Sequence, residues 1–94
     1  MKDMFKDAMK LQAQLMEQLR QIKVEGSAGG GMVRIEMGGE QNVTMVRIDP
    51  QVFADRDPAM LEDLIRAAFN DARQKILEKT QESFKNITGL PVGL

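Results

Sequence analysis

Two helical runs, both longer than any sheet this chain could build, constrain its fold more than any other feature. From Met1 to about Ile22 there is no Gly or Pro and almost no β-branched residue, while Gln, Lys, Leu, Met and Glu dominate. That composition favours a helix. Met1, Met4, Phe5, Ala8, Leu11, Leu15, Leu19 and Ile22 recur at spacings of three and four, which puts one apolar stripe along a helix over 2–22. The seven-residue spacing within it spans too few heptads for an autonomous coiled coil, so a packed helix is expected. Towards the other end, Asp57 is a good N-cap and Pro58 suits the first helical position. Leu61, Leu64, Ile65, Ala68, Phe69, Ala72, Ile76, Thr80, Phe84 and Ile87 then keep a second stripe until Gly89 and Pro91, which predicts a helix over 58–87 and a short apolar tail over 88–94. At 1.5 Å per residue these helices are about 31 and 45 Å long.

The residues between them read as three short strands, about 23–28, 32–37 and 43–49. Gly26-Ser27-Ala28-Gly29-Gly30-Gly31 cannot sustain a helix. Gly38-Gly39 signals a hairpin, with Glu40-Gln41-Asn42 completing a longer turn. Gly26 and Gly31 have the spacing of a phosphate loop, but Met32-Val33 stands where Lys-Ser/Thr is required, and a strand rather than a helix follows. The cluster is therefore read as a turn or strand irregularity. Three strands make a sheet about 15 Å wide, with strands about 20–25 Å long, so both helices must overhang it. By simple alternation the last strand is apolar on both faces, with Val43 and Met45 on one side and Val46 and Ile48 on the other. Such a strand expects cover on both sides, more than one small chain supplies, which points to a partner subunit. The expected class is α+β: helix, three-stranded antiparallel sheet, long helix, in one domain over 1–94. A sheet-mediated homodimer with projecting helical arms is the expected assembly.

Composition removes most chemistry. The 94 residues contain no Cys and no His, so disulfides, thiolate metal sites and the commonest general base are absent. Carboxylates, lysines, Ser27 and Ser83 remain, a poor basis for catalysis. No enzyme, cofactor, metal or small-molecule substrate is expected. Without an apolar run of membrane-spanning length or a signal-type segment, a cytoplasmic location is expected. The net charge is −1, yet it is unevenly spread: Lys and Arg prevail in residues 1–23 and 66–94, and Asp and Glu in 24–65. If the two ends meet in space, a nearly neutral protein can still present a positive face.

The run Leu61-Glu62-Asp63-Leu64-Ile65-Arg66-Ala67-Ala68-Phe69-Asn70-Asp71-Ala72 resembles the signature of the YbaB/EbfC family of bacterial nucleoid-associated proteins. So do Gly31-Met32-Val33-Arg34-Ile35, Val46-Arg47-Ile48-Asp49-Pro50, and the Met/Gln/Lys-rich first helix leading to Val24-Glu25-Gly26. These pieces cover nearly the whole chain in the right order. The resemblance implies a helix–three strands–helix protomer, sometimes with a short extra turn near Pro50–Phe53, and a homodimer formed through the sheets. It also implies binding of duplex DNA by paired projecting helices, as a nucleoid protein.

Phosphate binding needs several cations on one surface. Lys2, Lys6 and Lys10 form such a row on the first helix, and Arg73, Lys75, Lys79 and Lys85 lie along the second. Arg20 and Lys23, at the sheet end of the first helix, are weaker candidates. Arg34 and Arg47, on strands, are expected to balance Glu36 and Asp49. The competing reading of the lysine row is a solvated face helped by Asp3–Lys6 and Asp7–Lys10 pairs. The absence of aromatics outside core spacing argues against a base-stacking platform. No helix-turn-helix spacing is evident, so backbone contact with little base reading is expected. Two other classes compete: a protein-interaction module using the apolar arms, in which the eight Met could form an adaptable groove, and an interfacial membrane helix, which Asp3 and Asp7 disfavour.

Overall fold

Six elements follow one another in the computed structural model, which describes residues 2–89 apart from the side chains of Lys2 and Thr88. They are α1 (Lys2–Gln21), β1 (Lys23–Ala28), β2 (Val33–Gly38), β3 (Val43–Ile48), a 3-10 helix (Pro50–Asp55) and α2 (Pro58–Thr88). Met1 and the apolar tail from residue 90 onward lie outside the described residues. The caps act as expected. Asp57 Oδ1 accepts from the Met60 N–H at 3.1 Å, and Gly89, left-handed with φ 68°, donates its N–H to the Lys85 carbonyl. The extra turn implied near Pro50 is the 3-10 helix, opened by Asp49, whose carboxylate accepts from Gln51 N at 2.9 Å.

The sheet is an antiparallel meander in the order β1-β2-β3. Its inner face presents Val24, Val33, Ile35 and Met37, all buried, to Ala68, Ala72 and Ile76 of α2. The elements are joined most tightly at Gly26. A Cβ there would collide with the Ala68 carbonyl oxygen and the Ala72 nitrogen. Gly26 lies inside β1, within the strand expected over 23–28, and lets the helix backbone rest on the strand. Only Gly29, Gly30 and Gly31 turn the chain, all with positive φ. Gly39 does for α1 what Gly26 does for α2, since a Cβ there would strike the Leu19 carbonyl. In that second turn the left-handed residue is Gln41, φ 66°, rather than either glycine.

A register shift between Glu36 and Met37 changes the expected faces of β3. Val43 pairs with Met37, Val46 with Ile35 and Ile48 with Val33, so all three valine and isoleucine side chains belong to the inner side. Met45 alone, opposite Glu36, is apolar on the outer side. Yet α2 rests on β1 and part of β2 and scarcely reaches β3. Val46 is therefore 49% exposed although it points to the helix side, and Val43 is similarly open.

Both helices leave the sheet as an antiparallel pair. Ala8, Leu11, Gln12 and Leu15 of α1 flank Phe84 and Ile87 of α2 around an apolar groove of about 330 Å³. The molecule measures 64 × 24 × 16 Å with a radius of gyration of 17.8 Å, against about 12 Å for a compact chain of this length. The excess is the projecting arm. Gly26→Ala is expected to cost about 3 kcal/mol, at the upper end for overpacking. A chemical denaturation midpoint equal to that of the wild type would show that the strand–helix contact is not so tight.

Candidate nucleic-acid interface

The two helices carry the cations picked out in the sequence, but do not gather them on one surface. On α1, Lys6 and Lys10 are exposed, and helical geometry puts them roughly opposite the Ala8–Leu11–Leu15 side that meets α2. Lys2 starts the same helix, with its side chain outside the described residues. The expected Asp3–Lys6 and Asp7–Lys10 pairs do not form: among the described residues no carboxylate lies within 4.0 Å of Lys6 or Lys10. On α2 the cations diverge. Lys75 and Lys79 sit on the side facing the sheet and α1, whereas Arg73 and Lys85 project to two other sides roughly 120° apart.

Lys79 lines a polar cleft of about 360 Å³ with Lys23, Ser83, Gln18 and Gln21, and its nearest carboxylate is Glu82 at 3.8 Å. Arg20 lies 3.3 Å from Glu17 and 3.8 Å from Glu40. Lys75 has a structural task. Its Nζ donates to the Glu25 carbonyl at 2.8 Å and lies 3.2 Å from Asp71 Oδ2, while Asp71 accepts from the Ser27 N–H at 3.0 Å. Glu25 and Ser27 present these groups on the free edge of β1, so two side chains from α2 occupy a donor and an acceptor that another strand would take. The Ser27 N–H first, and Lys75 second, hold the Asp71 carboxyl below its usual range. Asp71 and Lys75 stand four residues apart on α2, but their bonds to β1 required the fold. No group of three or more potential metal ligands occurs among the described residues.

The family model described as the YbaB/EbfC DNA-binding family matches residues 1–90. The chain belongs to that family. A nucleoid-associated protein of Afipia carboxidovorans is 45% identical over 89 residues, covering 92% of this chain and 85% of the relative. One from Legionella pneumophila strain Corby is also 45% identical, covering 92% and 79%. A structure of an uncharacterized Helicobacter pylori protein superposes with a TM-score of 0.75 at 21% identity, covering 90% of this chain and 89% of that one, which supports the fold. The YbaB/EbfC description names DNA binding and no reaction, in keeping with a chain lacking His and Cys. No helix among the described residues is long and apolar enough to cross a membrane.

The Asp71 contacts carry a pH dependence in this YbaB/EbfC member. A depressed carboxyl adds stability that is fully present above the ordinary aspartate pKa, about 4, and is lost as pH falls through the lower folded-state value. At neutral pH Asp71→Ala is expected to cost about 1 kcal/mol, a low figure for a charged hydrogen bond because both Asp71 and Lys75 are more than a third exposed. The variant should also exchange its Ser27 amide faster. Below pH 4 its stability should converge on that of the wild type, and a constant difference down to pH 2 would refute the assignment.

Proposed function

We propose that this chain binds duplex DNA as a homodimer, contacting the phosphate backbone through cations of its projecting arms with little reading of bases. Family membership supports the DNA partner, and the names of the relatives support a nucleoid setting in the cytoplasm. The observation that carries the mode of binding is the lysine row on α1. Lys6 and Lys10 stand on the exposed side of an arm, and among the described residues no carboxylate lies within 4.0 Å of them, so their full charge is available to phosphates. Residues 1–94 act as one unit in this reading. Arg73, on the sheet-seated part of α2, and Lys79 and Lys85, further along it, supply further contacts from other sides, and Lys75 contributes only if phosphate competes with its hold on β1.

The dimer reading rests on the bare inner side of β3. Ile65 and Phe69 lie roughly 120–160° around α2 from Asp71, which faces the β1 edge, so they overlook the β3 half of the sheet. With Val43 and Val46 they give an apolar surface that α2 does not cover, and burying it is the main gain available to a second copy. A second reading, a protein-interaction module, is favoured by Met4, 77% exposed, and Phe5, 69% exposed, on α1. Association through these apolar groups should survive salt, whereas backbone binding should weaken steeply with it.

Light scattering at micromolar concentration is expected to give about twice the 10.5 kDa protomer mass. Val46→Asp should shift this towards the monomer while preserving helicity; a dimer unchanged by that charge would place the interface elsewhere. Replacing Lys2, Lys6 and Lys10 together by Ala keeps the helix and the apolar stripe. If two or three of them meet phosphates in each protomer, the slope of log affinity against log salt should flatten by roughly 4 to 5 units for the dimer. An unchanged slope would leave the row a solvated face and favour the protein-interaction reading.

A further inference from the structure

The sheet face away from α2 holds a pair of cations that belongs to neither arm. The β2–β3 register sets Arg34 directly opposite Arg47, and like charges at opposed cross-strand positions destabilise a sheet. The acids expected to balance them are committed elsewhere. Thr44 Oγ1 donates to Glu36 Oε1 at 2.9 Å, and Lys23 Nζ lies 3.3 Å from the same oxygen. These two contacts hold the Glu36 carboxyl below its usual range, with Arg47 only a minor influence. Asp49 caps the 3-10 helix. Arg34 Nε donates to the Gly31 carbonyl at 3.4 Å, and its Nη1 is 3.8 Å from Glu25 between half-exposed side chains. Arg47 Nε meets the sulfur of Met45 at 3.2 Å, and among the described residues no carboxylate lies within 4.0 Å of Arg47.

Two arginines at directly opposed strand positions, each with unused N–H donors, suit one ligand chemistry above others. A phosphate offers several acceptor oxygens and enough charge to relieve the repulsion, and the planar guanidinium fork matches its geometry. We propose that Arg34 and Arg47 together bind a phosphate group of the duplex backbone on the open sheet face, a contact separate from the lysine row of α1. This inference rests on the duplex-DNA reading and adds a second surface to it. Both arginines are exposed, on the face of β2 and β3 opposite to the one that carries the buried core residues.

The test compares wild type, Arg34→Gln/Arg47→Gln, and the triple lysine variant in duplex DNA titrations over a salt series. One phosphate shared by the pair in each protomer predicts a slope about 2 units flatter for the double variant. Its melting temperature without DNA should be equal to or above that of the wild type, because the repulsion is gone. In the wild type, the Nε–H signals of Arg34 and Arg47 should shift on adding duplex. A double variant with wild-type slope, beside a lysine variant with a flattened one, would overturn the sheet contact and leave the DNA reading standing. Failure of the wild type to bind duplex at low salt would overturn both. Arginine signals that respond to inorganic phosphate but not to duplex would mark a site for a free anion. Signals that respond only to an acidic peptide would mark a protein contact. Either result would refute the proposed backbone contact.

Discussion

The contact of Gly26 with the backbone of α2 governs most of this structure. With no Cβ at that position, the helix settles on β1 at Ala68 and Ala72, two small residues that are fully buried. A helix seated so close to one edge of a three-stranded sheet cannot also cover the other edge, because strands stand about 4.8 Å apart. Ile35, Met37 and Ile76 are sealed beneath it, while Val43 and Val46 are left open. The same placement brings Asp71 and Lys75 over the β1 edge, where they bond to Ser27 and Glu25. One edge of the sheet is thereby blocked by side chains and the opposite half left apolar and bare.

The second consequence concerns charge. Thirteen basic and fourteen acidic side chains give a total that says little about polyanion binding, because what matters is which cations are already engaged. Lys75 is tied to the strand edge, Lys23 to Glu36 and Arg20 to its glutamates. Among the described residues, no carboxylate lies within 4.0 Å of Lys6, Lys10 or Arg47. An almost neutral protein can therefore hold cations ready for phosphate while its acidic residues cap helices or brace strands. The exposed ion pairs themselves contribute little to stability, so their arrangement matters more for recognition than for folding.

Much of the architecture was legible in local pattern. Asp57-Pro58 and Gly89 mark α2 because caps act within one helical turn, and the stripe from Leu61 to Ile87 follows from a period of 3.6 residues. The mismatch between helix length and sheet width foretold the arm. The faces of β3 were misread, since strict alternation holds only while the register does, and the irregularity at Glu36/Met37 moves Val43 to the side of Val46. The strand holding Gly26 was legible, but its close seating under α2 was not, because nothing nearby in sequence signals that a helix forty residues away will rest on it.

The sequence by itself determined the elements, their order, the apolar stripes and the two basic ends, because propensity, capping and periodicity are set by neighbouring residues. Tertiary structure decided which charges remain available. Lys75 and Lys6 look alike in the sequence, yet one is bound to a strand edge and the other faces solvent. Arg34 and Arg47, thirteen positions apart, become neighbours only through strand pairing. Contacts of this kind depend on register and on the seating of α2, which are fixed by packing across the whole chain rather than by any local run of residues.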